Sequence, residues 1–489
     1  MGTSWLLLAS AAAALFAALL FGNLLWLRLQ SSRADLEELE PLLLRLFLRY
    51  SPIITMRIGL PPPFIFVADR HLAHAALVGA GGVTLANRPP GAPNVLLGVS
   101  DSIITRTDYG PVWSLLRRNL VGEALHPSRV RRFAPARSWV RRVLMEKLRE
   151  AGDAPDNVMD AFQYTVFCLL VIMCFGERLD EPAVRAMEDA ERAWLAYISS
   201  PSQMGVFFFL PSVTKHVFRG RRETGRALRR RQKELFMLMP LINARREYKR
   251  QLMQEGKAAP ANETTFRHSY VDTLLDIRLP IVALCSEFLN AGTRTTSTAL
   301  QWIMAELVKN PAVQERLHAE IEAACGDGEV SEGAVQGMSY LEAVILEGLR
   351  KHPPGHFVLP HKAAEDVELG GYLIPKGATV NFMVAEMGSD GRELEKPMEF
   401  VPERFLEGGD GVGVDIAGTK RIRMMPFGAG RRICAGLTVA MLHLEYFVAS
   451  MVREFEWKEA PGDAVDFEKF QFTTVMKKPL RPRLVATKR

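Results

Sequence analysis

From Trp5 to Leu27 the chain carries no charged residue, and Leu, Ala and Phe dominate. A helix of that length rises about 34 Å, enough to cross a bilayer core. Arg28 and Arg33 follow at once, so positive residues flank one end of the predicted span. Gln30 to Leu46 is a charged amphipathic stretch. Ile53–Ile58 and Phe64–Ala68, parted by Pro61-Pro62-Pro63, predict two strands around a turn. From Trp113 to Lys249 the apolar positions recur at helical spacing. Ile281–Lys309 predicts a long helix stopped at Asn310-Pro311, and Leu341–Arg350 another ending before Pro353-Pro354. Gly370 through Gly377 followed by Ala378–Phe382 reads as a hairpin, and Leu437–Val452 as a buried helix. The pattern predicts a mainly α fold with a small segregated β region, preceded by one N-terminal transmembrane helix. The expected divisions are a signal anchor over 1–28, a membrane-proximal linker over 29–50, and a catalytic domain over 51–489.

Composition sharpens this only in places. The 489 residues are 48% hydrophobic, with no compositional break that would divide the large domain. The five cysteines are odd in number and unclustered, against a disulfide framework or a zinc site. A cytosolic, reducing compartment on the endoplasmic-reticulum membrane is expected, and it would leave the Asn262-Glu263-Thr264 sequon unused. The net charge of +6 gathers in Arg129, Arg131, Arg132, Arg137, Arg141 and Arg142, and again from Arg219 to Arg231. Solvated helix faces explain such runs most simply. The first could also dock an acidic electron donor, and the second could meet lipid headgroups. No nucleic-acid-binding module is present in the pattern.

The chemistry concentrates in Pro426-Phe427-Gly428-Ala429-Gly430-Arg431-Arg432-Ile433-Cys434-Ala435-Gly436. A thiolate needs positive charge and donated N–H groups, and a glycine-rich loop with two arginines offers both. Phe427, Gly430, Arg432, Cys434 and Gly436 fall at the spacing Phe-x-x-Gly-x-Arg-x-Cys-x-Gly, which resembles the haem-binding signature of the cytochrome P450 superfamily. That resemblance makes Cys434 the axial ligand of a haem b iron.

Three further constellations match. Glu347 and Arg350 lie one helical turn apart among apolar residues, with Arg404 downstream. The resemblance makes them a buried structural lock. Trp113 and Arg117, at i and i+4, can both donate to a carboxylate. In the family this pair and Arg432 hold haem propionates, and His361 falls near a position that often carries another basic partner. The long helix contains Asn290-Ala291-Gly292-Thr293-Arg294-Thr295-Thr296. The family's oxygen-activation motif reads Ala/Gly-Gly-x-Asp/Glu-Thr-Thr, so Ala291, Gly292, Thr295 and Thr296 match while Arg294 replaces the acid. A guanidinium does not give up a proton at neutral pH.

Other departures are the absent proline-rich hinge, the short approach to the long helix at Pro280, Leu394 in place of an aromatic, and Ala435 in place of proline. The blocks around Leu346–Phe357, Asn381–Glu386 and Met441–Tyr446 are most similar to a plant microsomal branch, family eighty-nine, subfamily A. The resemblance implies a monooxygenase that inserts one atom of O2 into an apolar small molecule. Electrons would come from NADPH through NADPH–cytochrome P450 reductase, since no flavin or dinucleotide fingerprint occurs in the chain. Two alternatives stay open: a reductase-independent isomerase or dehydratase acting on a hydroperoxide, which suits Arg294, and a catalytically silent haem-binding membrane protein.

Overall fold

The computed structural model describes residues 39–57, 62–90, 103–152, 158–199, 216–230, 238–255, 265–277, 280–467, 469–470 and 474–487. The predicted membrane span, the sequon at Asn262 and residues 29–38 of the segment linking span to domain lie outside them. Helices of eight or more residues are α1 (Leu39–Arg49), α2 (Arg70–Leu77), α3 (Pro111–Asn119), α4 (Ala134–Glu150), α5 (Val158–Phe175) and α6 (Glu181–Ser199). They continue as α7 (Arg219–Arg230), α8 (Leu238–Glu255), α9 (Ile281–Lys309), α10 (Pro311–Cys325), α11 (Ser339–Lys351) and α12 (Leu437–Glu454).

Strands β1 (Ile53–Met56) and β2 (Phe64–Val67) pair antiparallel, with Ile53 opposite Val67. They join β3 (His361–Lys362) and the later strand Thr379–Phe382 in one four-stranded sheet. Here the structure corrects the hairpin read from Gly370–Phe382. The hairpin is β4 (Val367–Leu369) with β5 (Tyr372–Ile374), closed by Gly370 and Gly371 at φ of 58° and 81°. Two successive positive-φ residues make the tight turn that strand twist favours. The Thr379–Phe382 strand, β6, leaves to run parallel to β2.

The core is helical. α5 is apolar on all sides and buried from Val158 to Phe175 except at Asp160 and Gln163. It is long and apolar enough to cross a membrane, but it packs inside the domain against α9, α4 and α6. All-round apolarity marks a helix enclosed by neighbours. On the other side of α9, Gly348 of α11 lets the helices approach so closely that a Cβ there would lie 2.5 Å from Ile303.

The basic runs divide differently from the solvated faces expected. Arg137 and Arg141 are buried, donating to Glu332 (2.6 Å) and to Glu329. They turn inward because α4 places them beside its core residues Ala136, Val140 and Leu144. Arg131, Arg132 and Arg142 remain exposed. In α7, Gly225 sits against the Tyr197 ring of α6, while Arg219, Arg226 and Arg230 stay exposed.

Candidate active site

The cysteine loop owes its shape to two glycines. Gly428 and Gly430 take φ of 69° and 66°, a region closed to most residues. A Cβ on Gly430 would fall 1.9 Å from the Leu77 carbonyl oxygen at the end of α2. The Cys434 N–H donates to Phe427 O at 2.8 Å, folding the loop back on itself. Gly436 then caps α12 and turns its own N–H to the Cys434 sulfur. Cys434 is the exposed member of the five free thiols, yet burial pushes its pKa up, against the Gly436 N–H and the Arg117 charge, which pull it down. The residue is thus open at the surface while its thiol is desolvated.

Around it stand cations short of acids. Arg117 of α3 forms no ion pair among the described residues, and desolvation lowers its pKa. Trp113, one turn earlier, is 7% exposed and its Nε1–H has no hydrogen-bond partner among the described residues. The Arg432 guanidinium lies 4.8 Å over the Trp113 ring. It donates to Ala86 O (2.6 Å), Ile104 O (3.0 Å) and Thr107 O (2.6 Å), which occupies three of its five N–H groups. Burial is the main cause that brings its pKa down to about 10.

Arg88 was not foreseen. It is buried, donates to Leu359 O (2.7 Å) and Pro360 O (2.9 Å), and its Nε–H has no partner among the described residues. Burial, then Arg432, lowers it to about 9. His361 sits between them with Nδ1 2.7 Å from Leu85 O. A carbonyl only accepts, so Nδ1 carries the proton. Burial lowers the ring's pKa to about 3, so His361 is neutral and its Nε2 is an acceptor, able to donate to a carboxylate only after taking up a second proton.

The α9 face carries the other candidates. In a helix otherwise largely buried, Ala291 and Thr295 are exposed one turn apart, with half-buried Glu287 a turn before. Thr295 Oγ1 donates to Ala291 O at 2.8 Å. A Cβ on Gly292 would meet Leu170 of α5 at 2.7 Å, so its smallness serves helix packing. Thr296 is buried, about 100° around the helix from Thr295. Arg294 shares a stripe with Ser286 and Asn290, against which α6 sets the buried carboxylate of Glu191. Its Oε2 accepts from Ser286 Oγ (2.8 Å) and Asn290 Nδ2 (2.5 Å). Burial, then the charge of Arg192, lowers the pKa of Arg294.

Behind the loop, Glu347 is fully buried and bonded to Arg350 Nε (2.6 Å), Arg350 Nη2 (2.8 Å), Arg404 Nε (3.1 Å) and Val401 N (2.9 Å). Burial is as the apolar neighbours of the pair predicted, and the bond from Arg404 is as the resemblance implied.

An accessible desolvated cysteine at a helix N-terminus, an orphaned indole N–H and a ring of under-compensated arginines fit a flat ligand with metal at its centre and carboxylates at its rim. The fold and site define a haem-thiolate enzyme. A family model described as Cytochrome P450 matches residues 15–485, and the chain belongs to that family. Cytochrome P450 89A9 of Arabidopsis thaliana is 40% identical, over 95% of this chain and 91% of that protein, in line with the subfamily resemblance. Flavonoid 3'-monooxygenase of the same plant is 29% identical over 84% of this chain and 80% of its own length. A zebra fish cytochrome P450 solved with progesterone superposes with a TM-score of 0.70, covering 92% of this chain and 99% of that one at 22% identity. The chain is an oxidoreductase that incorporates molecular oxygen, using haem iron, O2 and reductase-supplied electrons. Bound there, the haem supplies the oxygen chemistry; Cys434 would hold its iron, and Trp113, Arg117, Arg432 and Arg88 its rim.

Proposed function

We propose that this is a membrane-anchored monooxygenase of plant specialised metabolism, placing one oxygen atom into an apolar small molecule. The observation that carries it is Cys434, accessible yet desolvated at the start of α12, beside Arg117 with no acid of its own. NADPH–cytochrome P450 reductase is the proposed electron donor. The uncharged stretch from Trp5 to Leu27 is the proposed single span in the endoplasmic-reticulum membrane, with the domain from residue 51 on the cytosolic side. Ala291 and Thr295 line the space where oxygen and substrate meet, and Thr295 passes protons inward through water. Gly292 and Thr296 serve that stretch by packing.

The test has two arms. Reduced protein exposed to carbon monoxide should show the thiolate-type Soret shift, lost in Cys434→Ala while membrane insertion persists. Reconstituted with reductase, it should consume NADPH and oxygenate members of a plant-metabolite panel. Arg294 favours one rival, rearrangement of a hydroperoxide without reductase. Turnover of a lipid hydroperoxide with no NADPH consumption on any substrate would replace the monooxygenase reading with it.

A further inference from the structure

One peptide group joins the two halves of the site. The turn at residues 103–107 closes on itself, with Thr107 N donating to Ile103 O at 2.9 Å. On one side of it stands Glu287 of α9, whose Oε2 accepts from Ile104 N (3.0 Å). Its Oε1 accepts from Thr105 N (2.7 Å) and Thr105 Oγ1 (2.5 Å). On the other side Arg432 donates to Ile104 O (3.0 Å) and, three residues on, to Thr107 O (2.6 Å). The Ile104 carbonyl and the Thr105 N–H belong to the same planar unit, and in a trans peptide they point in opposite directions. A carboxylate therefore pulls on one end of this dipole while a guanidinium pulls on the other. Each charge strengthens the bond the other makes, because hydrogen bonds in series polarise one another.

The turn supplies two of the three carbonyls that fix Arg432, and Arg432 in turn stacks on Trp113. Without Glu287, two backbone N–H groups lose a charged acceptor and the turn loses its hold on α9. Ala86 O alone would then remain as a fixed acceptor for the guanidinium. Glu287 also shares the helix face of Ala291 and Thr295, so the helix that borders the reaction space anchors the loop that carries the thiolate.

We propose that Glu287 is a positioning residue for the haem. Acting through the Ile104–Thr105 peptide, it sets the Arg432 guanidinium and so the grip of the site on the carboxylate rim. The proposal rests on the reading of Arg432 as a holder of that rim.

The test is a double-mutant cycle on haem release from the full-length holoenzyme, followed as transfer to an excess of apoglobin. Glu287→Ala should speed release roughly tenfold, as expected for losing hydrogen bonds to a charged group. Arg432→Lys should speed it as well. In the Arg432→Lys background, adding Glu287→Ala should change release by less than about twofold, because the group it positions is gone. Thr105→Val, which removes one donor and leaves the carboxylate, gives a smaller effect with the same dependence on Arg432. It serves as the probe if Glu287→Ala does not accumulate. Additive effects on release would overturn the proposal and leave Arg432 as a rim holder. Unchanged release in Arg432→Lys would overturn the underlying reading and the proposal with it.

Discussion

Replacing Glu347 by alanine removes a carboxylate with no exposed surface, on which four donors converge. The two arginines are not equally harmed. Arg404 keeps Asp410 at 3.1 Å and the Glu395 carbonyl. Among the described residues Arg350, 2% exposed, keeps the carbonyls of Gly388 (2.8 Å) and Glu399 (3.3 Å) and loses its carboxylate partner. Breaking a buried pair from one side costs about 3–5 kcal/mol, because the remaining charge stays desolvated. Against a typical stability of about 5–15 kcal/mol, that is a large share. Urea unfolding followed by tryptophan fluorescence, with haem content read from the Soret band, measures it. Arg316→Ala, which breaks an exposed pair with Glu403, should change stability by under about 1 kcal/mol. A Glu347→Ala protein that is fully haem-loaded and within about 1 kcal/mol of the parent would refute the account.

Three other outcomes are expected. Gly430→Ala should abolish haem incorporation, read from the Soret band, because its Cβ would overlap the Leu77 carbonyl at a positive φ. Burial, then repulsion from Glu342, raises the Glu445 carboxyl to about 7. The folded state therefore binds more protons than the unfolded one between about pH 4.5 and 7, so stability contributed by this group falls as pH rises through that window. Glu445→Gln should flatten that slope in urea midpoints measured across it. With reductase, the native protein should release peroxide for part of its NADPH, and Arg294→Asp should shift electrons to product; an unchanged peroxide-to-NADPH ratio counts against any shortage of protons at that position.

What the sequence disclosed follows from the range of each interaction. Cys434, its glycines, and the Glu347–Arg350 pair are local patterns, and loop geometry and helix period carry them into space with little help from the rest of the fold. The same period placed Thr295 beside Ala291. Charge runs are less informative, because periodicity reports a face without saying what covers it. Arg137 and Arg141 look like their solvated neighbours until α4 packs and their acids arrive from Glu332 and Glu329. Arg88 gave no signal, since its carbonyl partners lie 271 and 272 positions away. Glu287 reaches across 182 positions to Thr105. Glu191 reaches across 95 to Ser286.

Those long-range partners bear on the position where the chain departs from its family. Read along α9, Arg294 is a lost acid. Read across to α6, the stripe Ser286–Asn290–Arg294 faces a buried glutamate already bonded to two of its three members. A carboxylate at 294 would stand one helical turn from Asn290, which is bonded to the buried Glu191, and acids brought together in a desolvated setting repel. The arginine that stands there instead is desolvated, and burial, then the charge of Arg192 next to Glu191 in sequence, lowers its pKa. Position 294 therefore answers to what α6 sets against it as well as to its own helix, and that surrounding is visible only when both helices are in place.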